Sequence, residues 1–356
     1  MAERVGFCTS ADGTRLAYGV SGSGPPLVKA ANWMTNLEHD WSSPVWRHWL
    51  VGLGEHHTLI RYDERGCGLS DRDAGDGAFG LERWVADLET VVAAAGVDRF
   101  ALLGVSQGAA LAIAYAARHP ERVSRLVLYG GYARGLARRD AAARERAELL
   151  VSLIRLGWGQ PNAAFRRLFT MLYLPGGTPE QMAWFDDLQR HSTSPETAVR
   201  IWQARGELDV LGLAAGLDVP ALVLHARDDA VVPFAEGRLM AGAIPGARFV
   251  PLEGHNHILL ADEPAWGTML AEVHGFLGVE ATPPAPAAWG LSGREQQILG
   301  LVAQGLSNEE IAADLVLSVR TVERHLANVY GKLRLSGRSA RAAAAARYAQ
   351  ETARPA

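Results

Sequence analysis

Short apolar runs alternate with longer segments of helical period through the first part of the chain. Apolar runs of strand length occur at Val5–Thr9, Thr14–Val20, Pro26–Ala31, Thr58–Tyr62, Phe100–Gly104 and Val123–Tyr129. Segments with helical spacing occur at Val45–Gly54, Leu81–Ala95 and Gln107–Arg118. Strands that alternate with helices in this way predict an α/β fold, with a mostly parallel sheet covered by helices on both faces.

The alternation stops after the strand predicted at 123–129. From about 133 to 216 the pattern is helical and rich in large apolar side chains, and strands resume at Ala221–His225 and Arg248–Leu252. The large side chains of the insertion are Trp158, Phe165, Phe169, Tyr173, Trp184, Phe185 and Trp202. A helical cap over the carboxyl edge of the sheet would bring several of them around a substrate pocket. Packing inside the insertion is the simpler role for any one of them.

A proline- and alanine-rich linker at residues 279–289 divides the chain into a body, residues 1–278, and a tail, residues 290–356. Its prolines stand among small residues, a composition that favours extended backbone. In the tail, Ser292 and Glu295 form a capping-box pattern at the start of a first helix. Ser307 starts a second helix, and Ser318 caps a third over Val319–Leu333. A short helix, a tight turn and a longer helix predict a small all-α helix-turn-helix domain.

Composition and charge narrow the class of protein. The chain has 356 residues, of which 48% are apolar and 21% charged, as expected for a globular protein of two domains. Two cysteines are too few for a disulfide framework and no signal-peptide pattern opens the chain, so we expect a cytoplasmic protein without a membrane segment. The net charge of −4 hides a tail with nine basic and six acidic residues. A basic tail on an acidic body is a weak indication of nucleic-acid binding.

The segment GVSQG, residues 104–108, lies between an apolar run and a helix of small residues. This is the strand–turn–helix context of a nucleophile elbow, in which Ser106 would be exposed at the carboxyl end of a buried strand. A serine nucleophile needs a base, and the base needs an orienting carboxylate. Asp228 and Asp229 follow one later strand, and His255 and His257 follow the next.

Taken together, these motifs of residues 1–278 resemble the capped α/β-hydrolases that cleave esters and lactones. Residues 63–70 match the family's D-x-R-G-x-G-x-S loop. Spacing from the following prolines favours Asp229 over Asp228 and His257 over His255. The resemblance implies a catalytic triad of Ser106, Asp229 and His257, with no metal and no cofactor.

One feature departs from the family pattern. The third strand of the family usually ends in His-Gly, whereas this chain has Ala31-Asn32. By resemblance, the oxyanion hole would then consist of the backbone N–H groups of Trp33 and Gln107. Loss of one oxyanion donor lowers turnover by ~10²–10³, so this departure leaves open a slow enzyme or a ligand-binding body.

The tail resembles a LuxR-type DNA-binding domain over Leu291–Arg347. The matching motifs are L-S-x-R-E, G-L-S-N-E-E-I-A and L-x-x-S-V-R-T-V-E-R-H, followed by K-L and Arg338. The resemblance implies that the third helix enters the major groove of double-stranded DNA, usually in a homodimer. The expected DNA-binding residues are Ser318, Arg320, Thr321, Arg324, His325, Asn328 and Lys332.

The sequence supports three functions. The first is a transcriptional regulator whose body senses a small acyl ester or lactone, with hydrolysis of that ligand as a further expectation. The second is an esterase or lactonase whose tail only targets or dimerises it. The third is a regulator with an inert body. The LuxR match favours regulation, and the complete Ser–Asp–His set disfavours an inert body.

Overall fold

The computed structural model of the protein describes residues 3–73, 75, 77–278, 289, 291–315, 317–337 and 339–352. The chain divides into two compact units, Met1–Val279 and Glu280–Ala356. Residues 279–288 of the predicted linker, Gly290 and the predicted basic residue Arg338 lie outside the described residues.

The first unit contains an eight-stranded sheet in the order β1-β2-β4-β3-β5-β6-β7-β8. The strands are β1 Arg4–Thr9, β2 Arg15–Gly22, β3 Pro26–Lys29, β4 Thr58–Tyr62, β5 Phe100–Val105, β6 Val123–Tyr129, β7 Ala221–Ala226 and β8 Arg248–Leu252. Strand β2 runs antiparallel to both of its neighbours, and the pairs from β4 to β8 are parallel. Strand β3 is two residues shorter than predicted, although the Ala30 N–H still donates to Leu103 O at 2.9 Å.

Helices connect and follow these strands. In the first unit they are α1 Leu37–Asp40, α2 Arg47–Gly54, α3 Leu81–Ala94, α4 Gly108–Arg118, α5 Ala141–Gly157, α6 Ala164–Tyr173, α7 Pro179–Ser192, α8 Pro195–Gly206, α9 Leu211–Ala214, α10 Phe234–Ala243 and α11 Pro264–Leu277. Helices α5 to α9 all belong to the long connection between β6 and β7. This connection is the helical insertion, and its residues Trp158, Phe169, Tyr173 and Phe185 are buried.

The centre of the sheet is shielded from solvent, because every residue of β5 and β7 is buried. Helix α4 is also buried from Gly108 to Ala116, since its small side chains allow close packing on the sheet. A Cβ at Gly104 would lie 2.6 Å from the Cα of Ala109, so only glycine permits this approach of helix to strand. Because β5, β7 and β8 run in the same direction, the segments that follow them lie at the same edge of this closely packed sheet.

The second unit is all helical: α12 Gly293–Ala303, α13 Asn308–Leu315, α14 Val319–Lys332 and α15 Ala340–Thr352. Its core is made of aliphatic side chains on α12, α13 and α14, among them Ile298, Ile311, Val322 and Leu326. Helix α15, which the sequence pattern did not predict, adds Ala344 to a second cluster with Leu299, Val329 and Leu333. Across the part of the chain that is described, none of the helices has the length and apolar character needed to cross a membrane.

Candidate functional site

Ser106 occupies the turn between β5 and α4 with a backbone φ of +54°. This left-handed conformation is uncommon for a residue with a Cβ and costs ~1–3 kcal/mol. The surrounding structure imposes it, because the Ser106 N–H donates to Tyr129 O at 2.9 Å. The turn is held between close neighbours, since a Cβ at Gly131 would lie 3.0 Å from Ser106 O.

His257 and Asp229 complete a continuous line of hydrogen bonds with Ser106. His257 Nε2 lies 2.8 Å from Ser106 Oγ, and His257 Nδ1 lies 2.7 Å from Asp229 Oδ2. The sequence predicted these three residues, and the structure brings them together. The alternatives Asp228 and His255 are both exposed.

Asp229 is held in place by its own loop. Its Oδ1 accepts the backbone N–H groups of Val231 at 2.8 Å and Val232 at 3.0 Å. Burial by itself raises the pKa of Asp229, but the attraction of His257 and these hydrogen bonds outweigh it, so that the net pKa lies below its ordinary value. His225, on β7, is bound to the same loop by a hydrogen bond of 2.8 Å between its Nε2 and Val232 O. The carboxylate is therefore fixed with Oδ2 toward His257.

His257 is held by contacts from the sheet and from the helical insertion. Its backbone N–H donates to the backbone carbonyl oxygen of Tyr173 at 2.9 Å. Its backbone carbonyl oxygen accepts a hydrogen bond from the Tyr129 hydroxyl at 3.0 Å. The Tyr173 ring meets the imidazole edge to face, with 5.2 Å between centroids. Ser106 is 3% exposed and His257 1% exposed. The site is thus closed over by the insertion, a setting in which electrostatic interactions are strong.

The predicted oxyanion hole has an unexpected contact. The Trp33 N–H donates to the side-chain Oε1 of Gln107 at 3.1 Å, and both residues are buried. The Gln107 N–H stands at the start of α4, where helix N–H groups have no partner within the helix. Trp33 packs edge to face against Trp158 and Trp202, at 5.4 Å in each case. Two residues of the predicted aromatic set therefore surround the segment after β3.

A comparison with protein-family models identifies the family of the body. A family model described as the alpha/beta hydrolase fold matches residues 35–264, which is more than half of the chain. The chain belongs to the α/β-hydrolase family. Among the described residues of this α/β-hydrolase, no three His, Cys, Asp or Glu side chains are grouped so that they could hold a metal ion.

Curated and structural relatives cover the α/β-hydrolase body. The "Putative carbamate hydrolase RutD" of Azorhizobium caulinodans is 29% identical over 70% of this chain and 90% of its own length. The "Pyrrolizixenacetamide deacetylase" of Xenorhabdus hominickii is 28% identical over 68% of this chain and 88% of its own. The crystal structure of the enol-lactonase from Burkholderia xenovorans LB400 superposes with a TM-score of 0.58, at 25% identity, over 77% of this chain and 98% of that one.

The second unit of this α/β-hydrolase presents helix α14 with one apolar and one polar face. Val322, Leu326 and Val329 are buried, whereas Ser318, Arg320, Arg324, Asn328 and Lys332 are exposed. Thr321 and His325 are half-buried. Arg320, Arg324 and Asn328 follow one another at intervals of four residues and so share one helix face. A family model described as bacterial regulatory proteins of the luxR family matches residues 290–345. The chain is therefore an α/β-hydrolase domain fused to a LuxR-type helix-turn-helix domain, which supports DNA binding.

Two contacts of α14 modify the sequence-based assignment of its residues. Lys332 donates to Glu295 Oε2 at 2.6 Å, and the same oxygen accepts the Ser292 N–H at 2.7 Å. Lys332 therefore ties α14 to the start of α12. The Ser318 hydroxyl accepts the Thr321 N–H at 3.1 Å and so caps α14.

Sequence reasoning did not anticipate the Gln107 side chain over the Trp33 amide or the place of Tyr173 beside His257. Gln107 was considered only for its backbone N–H, and Tyr173 only as one of a set of aromatic residues. Both depend on contacts between segments more than 70 residues apart along the chain. The presence of Tyr173 in the aromatic insertion was the one indication in the sequence.

Proposed function

We propose that this protein is a cytoplasmic DNA-binding transcriptional regulator whose α/β-hydrolase body binds and hydrolyses a small acyl ester or lactone. The observation that carries the proposal is the hydrogen-bonded line Ser106–His257–Asp229, in one chain with a LuxR-type domain. The names of the relatives, a carbamate hydrolase, a deacetylase and an enol-lactonase, support a substrate with an acyl carbon open to attack.

In the proposed reaction, Ser106 Oγ attacks the carbonyl carbon of the ester while His257 Nε2 takes the serine proton. Asp229 keeps the imidazole in the tautomer that can accept this proton. The proton then passes from His257 to the departing alkoxide, which leaves as the alcohol. Water repeats the sequence on the acyl-serine, and the products are a carboxylic acid and free Ser106.

The proposed DNA contacts come from the exposed face of α14. Arg320, Arg324 and Asn328 have the chemistry that contacts phosphates and base edges. One tail offers few positive charges, and counterion release from few phosphates gives weak binding. We therefore expect two tails to act together, as a homodimer on two half-sites.

A second candidate is a body that binds the ester without turning it over. One observation favours it: the Trp33 N–H, expected in the oxyanion hole, is occupied by Gln107 Oε1. Both candidates use the same buried site at Ser106 and the same DNA-binding helix, and they differ only in whether the carbonyl is attacked.

One experiment separates these candidates. The purified chain is treated with a fluorophosphonate probe, which labels an activated serine, and its binding to its own promoter fragment is measured against random duplex of equal length. We expect labelling that Ser106→Ala abolishes, together with preference for the promoter. DNA preference without labelling would favour the inert binder. Labelling without DNA preference would refute the regulator and leave a plain hydrolase.

A further inference from the structure

The oxyanion side of the site has fewer free donors than the family pattern requires. Attack on a carbonyl places negative charge on its oxygen, and two or more hydrogen-bond donors normally stabilise that charge. Here the Trp33 N–H already donates to Gln107 Oε1 at 3.1 Å. Because this bond is buried, a substrate oxygen can use the Trp33 N–H only after the Gln107 side chain has moved away.

The Tyr173 hydroxyl is a second polar group at the same place. Tyr173 is 3% exposed, and its hydroxyl oxygen forms no hydrogen bond of normal length and angle among the described residues, although the Gln107 side chain is its polar neighbour. A buried hydroxyl without a partner costs ~1–3 kcal/mol, so most such groups in proteins are paired. A donor beside the triad histidine without a well-formed partner is therefore available to a polar group of the substrate.

The contacts of Tyr173 place its ring beside the base of the triad. Its ring stands edge to face on the His257 imidazole, whose Nε2 is 2.8 Å from Ser106 Oγ. The Gln107 side chain, directly after Ser106, faces the Tyr173 hydroxyl closely enough for a weak hydrogen bond. The Tyr173 side chain thus lies beside both His257 and Gln107.

The Tyr173 side chain is also rigid and remains protonated. Its backbone carbonyl accepts the His257 N–H at 2.9 Å, and its ring packs on Phe185 with 5.5 Å between centroids. Burial raises the pKa of Tyr173 well above its ordinary value, so the hydroxyl is a donor at neutral pH. A fixed neutral donor needs no reorganisation when charge develops next to it.

We propose that the Tyr173 hydroxyl donates a hydrogen bond to the substrate carbonyl oxygen. As an oxyanion donor it would replace the Trp33 N–H, which is bonded to Gln107 Oε1. The helical insertion thereby contributes a catalytic group that stabilises the substrate while Ser106, at the edge of the sheet, attacks it. This inference rests on the proposed hydrolysis at Ser106. It specifies a substrate whose reacting carbonyl lies between the N-terminus of α4 and the end of α6.

The test is Tyr173→Phe in the full chain, assayed with p-nitrophenyl acetate. We expect kcat to fall about 10²-fold, as for other single oxyanion donors, with KM changed by less than about 3-fold. Because the hydroxyl forms only a weak hydrogen bond with Gln107 in the free protein, Tm should change little. A purely structural hydroxyl would instead lower Tm and leave kcat unchanged.

Tyr115 provides the matched control. Its hydroxyl is buried without a partner among the described residues, but it lies on α4 against Phe100 and His119, at a distance from the nucleophile. Tyr115→Phe should therefore keep the wild-type kcat. If Tyr173→Phe keeps kcat within about 3-fold of an active wild type, this inference is wrong and the proposed hydrolysis stands. A wild type that neither hydrolyses the ester nor takes the fluorophosphonate label overturns both.

Discussion

Asp229→Asn tests whether the hydrogen-bond line acts through the tautomer of His257. The two oxygens of Asp229 have different partners: Oδ1 accepts two backbone N–H groups, and Oδ2 faces His257 Nδ1. An asparagine keeps its carbonyl oxygen toward the two amides, because its NH₂ group cannot accept them. The NH₂ then donates to His257 Nδ1. The proton of the imidazole moves to Nε2, which can no longer accept the proton of Ser106.

The size of the effect follows from these contacts. Turning the asparagine around would give up two backbone hydrogen bonds, at ~1 kcal/mol each. The lost attraction between carboxylate and imidazolium adds ~4 kcal/mol at a separation of ~4 Å and an effective dielectric constant of ~20. A barrier raised by ~6 kcal/mol lowers the rate on the order of 10⁴-fold. A loss of about 10⁴-fold is also typical of this substitution in serine proteases.

The assay is kcat for p-nitrophenyl acetate, with urea unfolding of the same samples as a check of the fold. Asp229→Asn should retain its structure, since the two backbone hydrogen bonds survive. Asp228→Asn is the matched control, because Asp228 is the exposed neighbour in sequence, and it should keep the wild-type kcat within 2-fold. Retention of more than a tenth of the wild-type kcat by Asp229→Asn would refute the tautomer mechanism.

Three further predictions concern backbone strain, DNA binding and pH. Ser106→Gly should be about 1 kcal/mol more stable to urea than Ser106→Ala, because only glycine adopts φ +54° without strain; equal stabilities would argue against a strained turn. Arg324→Ala should weaken promoter binding by ~1–3 kcal/mol if Arg324 contacts a base, or lower the slope of log K against log salt concentration by ~1 if it contacts a phosphate. The control Arg99→Ala, at an exposed residue of the body, should change neither quantity. The folded pKa of Asp229 lies below its unfolded value of ~3.9. Its contribution to the free energy of unfolding is therefore present above the unfolded pKa and is lost as the pH falls through the folded pKa. The difference in unfolding free energy between wild type and Asp229→Asn should therefore shrink as the pH is lowered below about 4, as measured by urea unfolding.

The fold class was predictable because the strands of the body are bounded by clear breaks in the sequence. β4, β6 and β8 have the predicted ends, each being an apolar run between polar or turn residues. The family comparison confirms the α/β-hydrolase fold and the LuxR-type tail. Spacing and the family resemblance together selected Ser106, Asp229 and His257, each of which lies in the segment after a strand at one edge of the sheet.

Side-chain contacts between distant segments could not be predicted. Nothing in the local pattern around Gln107 indicates that its carboxamide covers an amide 74 residues earlier. The same holds for Lys332, which by charge and position predicts a DNA contact but forms an ion pair with Glu295, 37 residues away. Periodicity states which face a residue occupies, but the rotamer and partner depend on how elements pack.

The hydrogen bond from the His257 N–H to Tyr173 O joins the last turn of α6 to the loop that carries the base. A neighbouring bond, from the Gly176 N–H to Asn256 Oδ1 at 2.8 Å, joins the same two segments. A displacement of α6 would therefore break the backbone support of His257. In the proposed reaction, we expect proton transfer from Ser106 only while this segment is in place. Admission of the ester and the chemical step would then take place at different positions of α6.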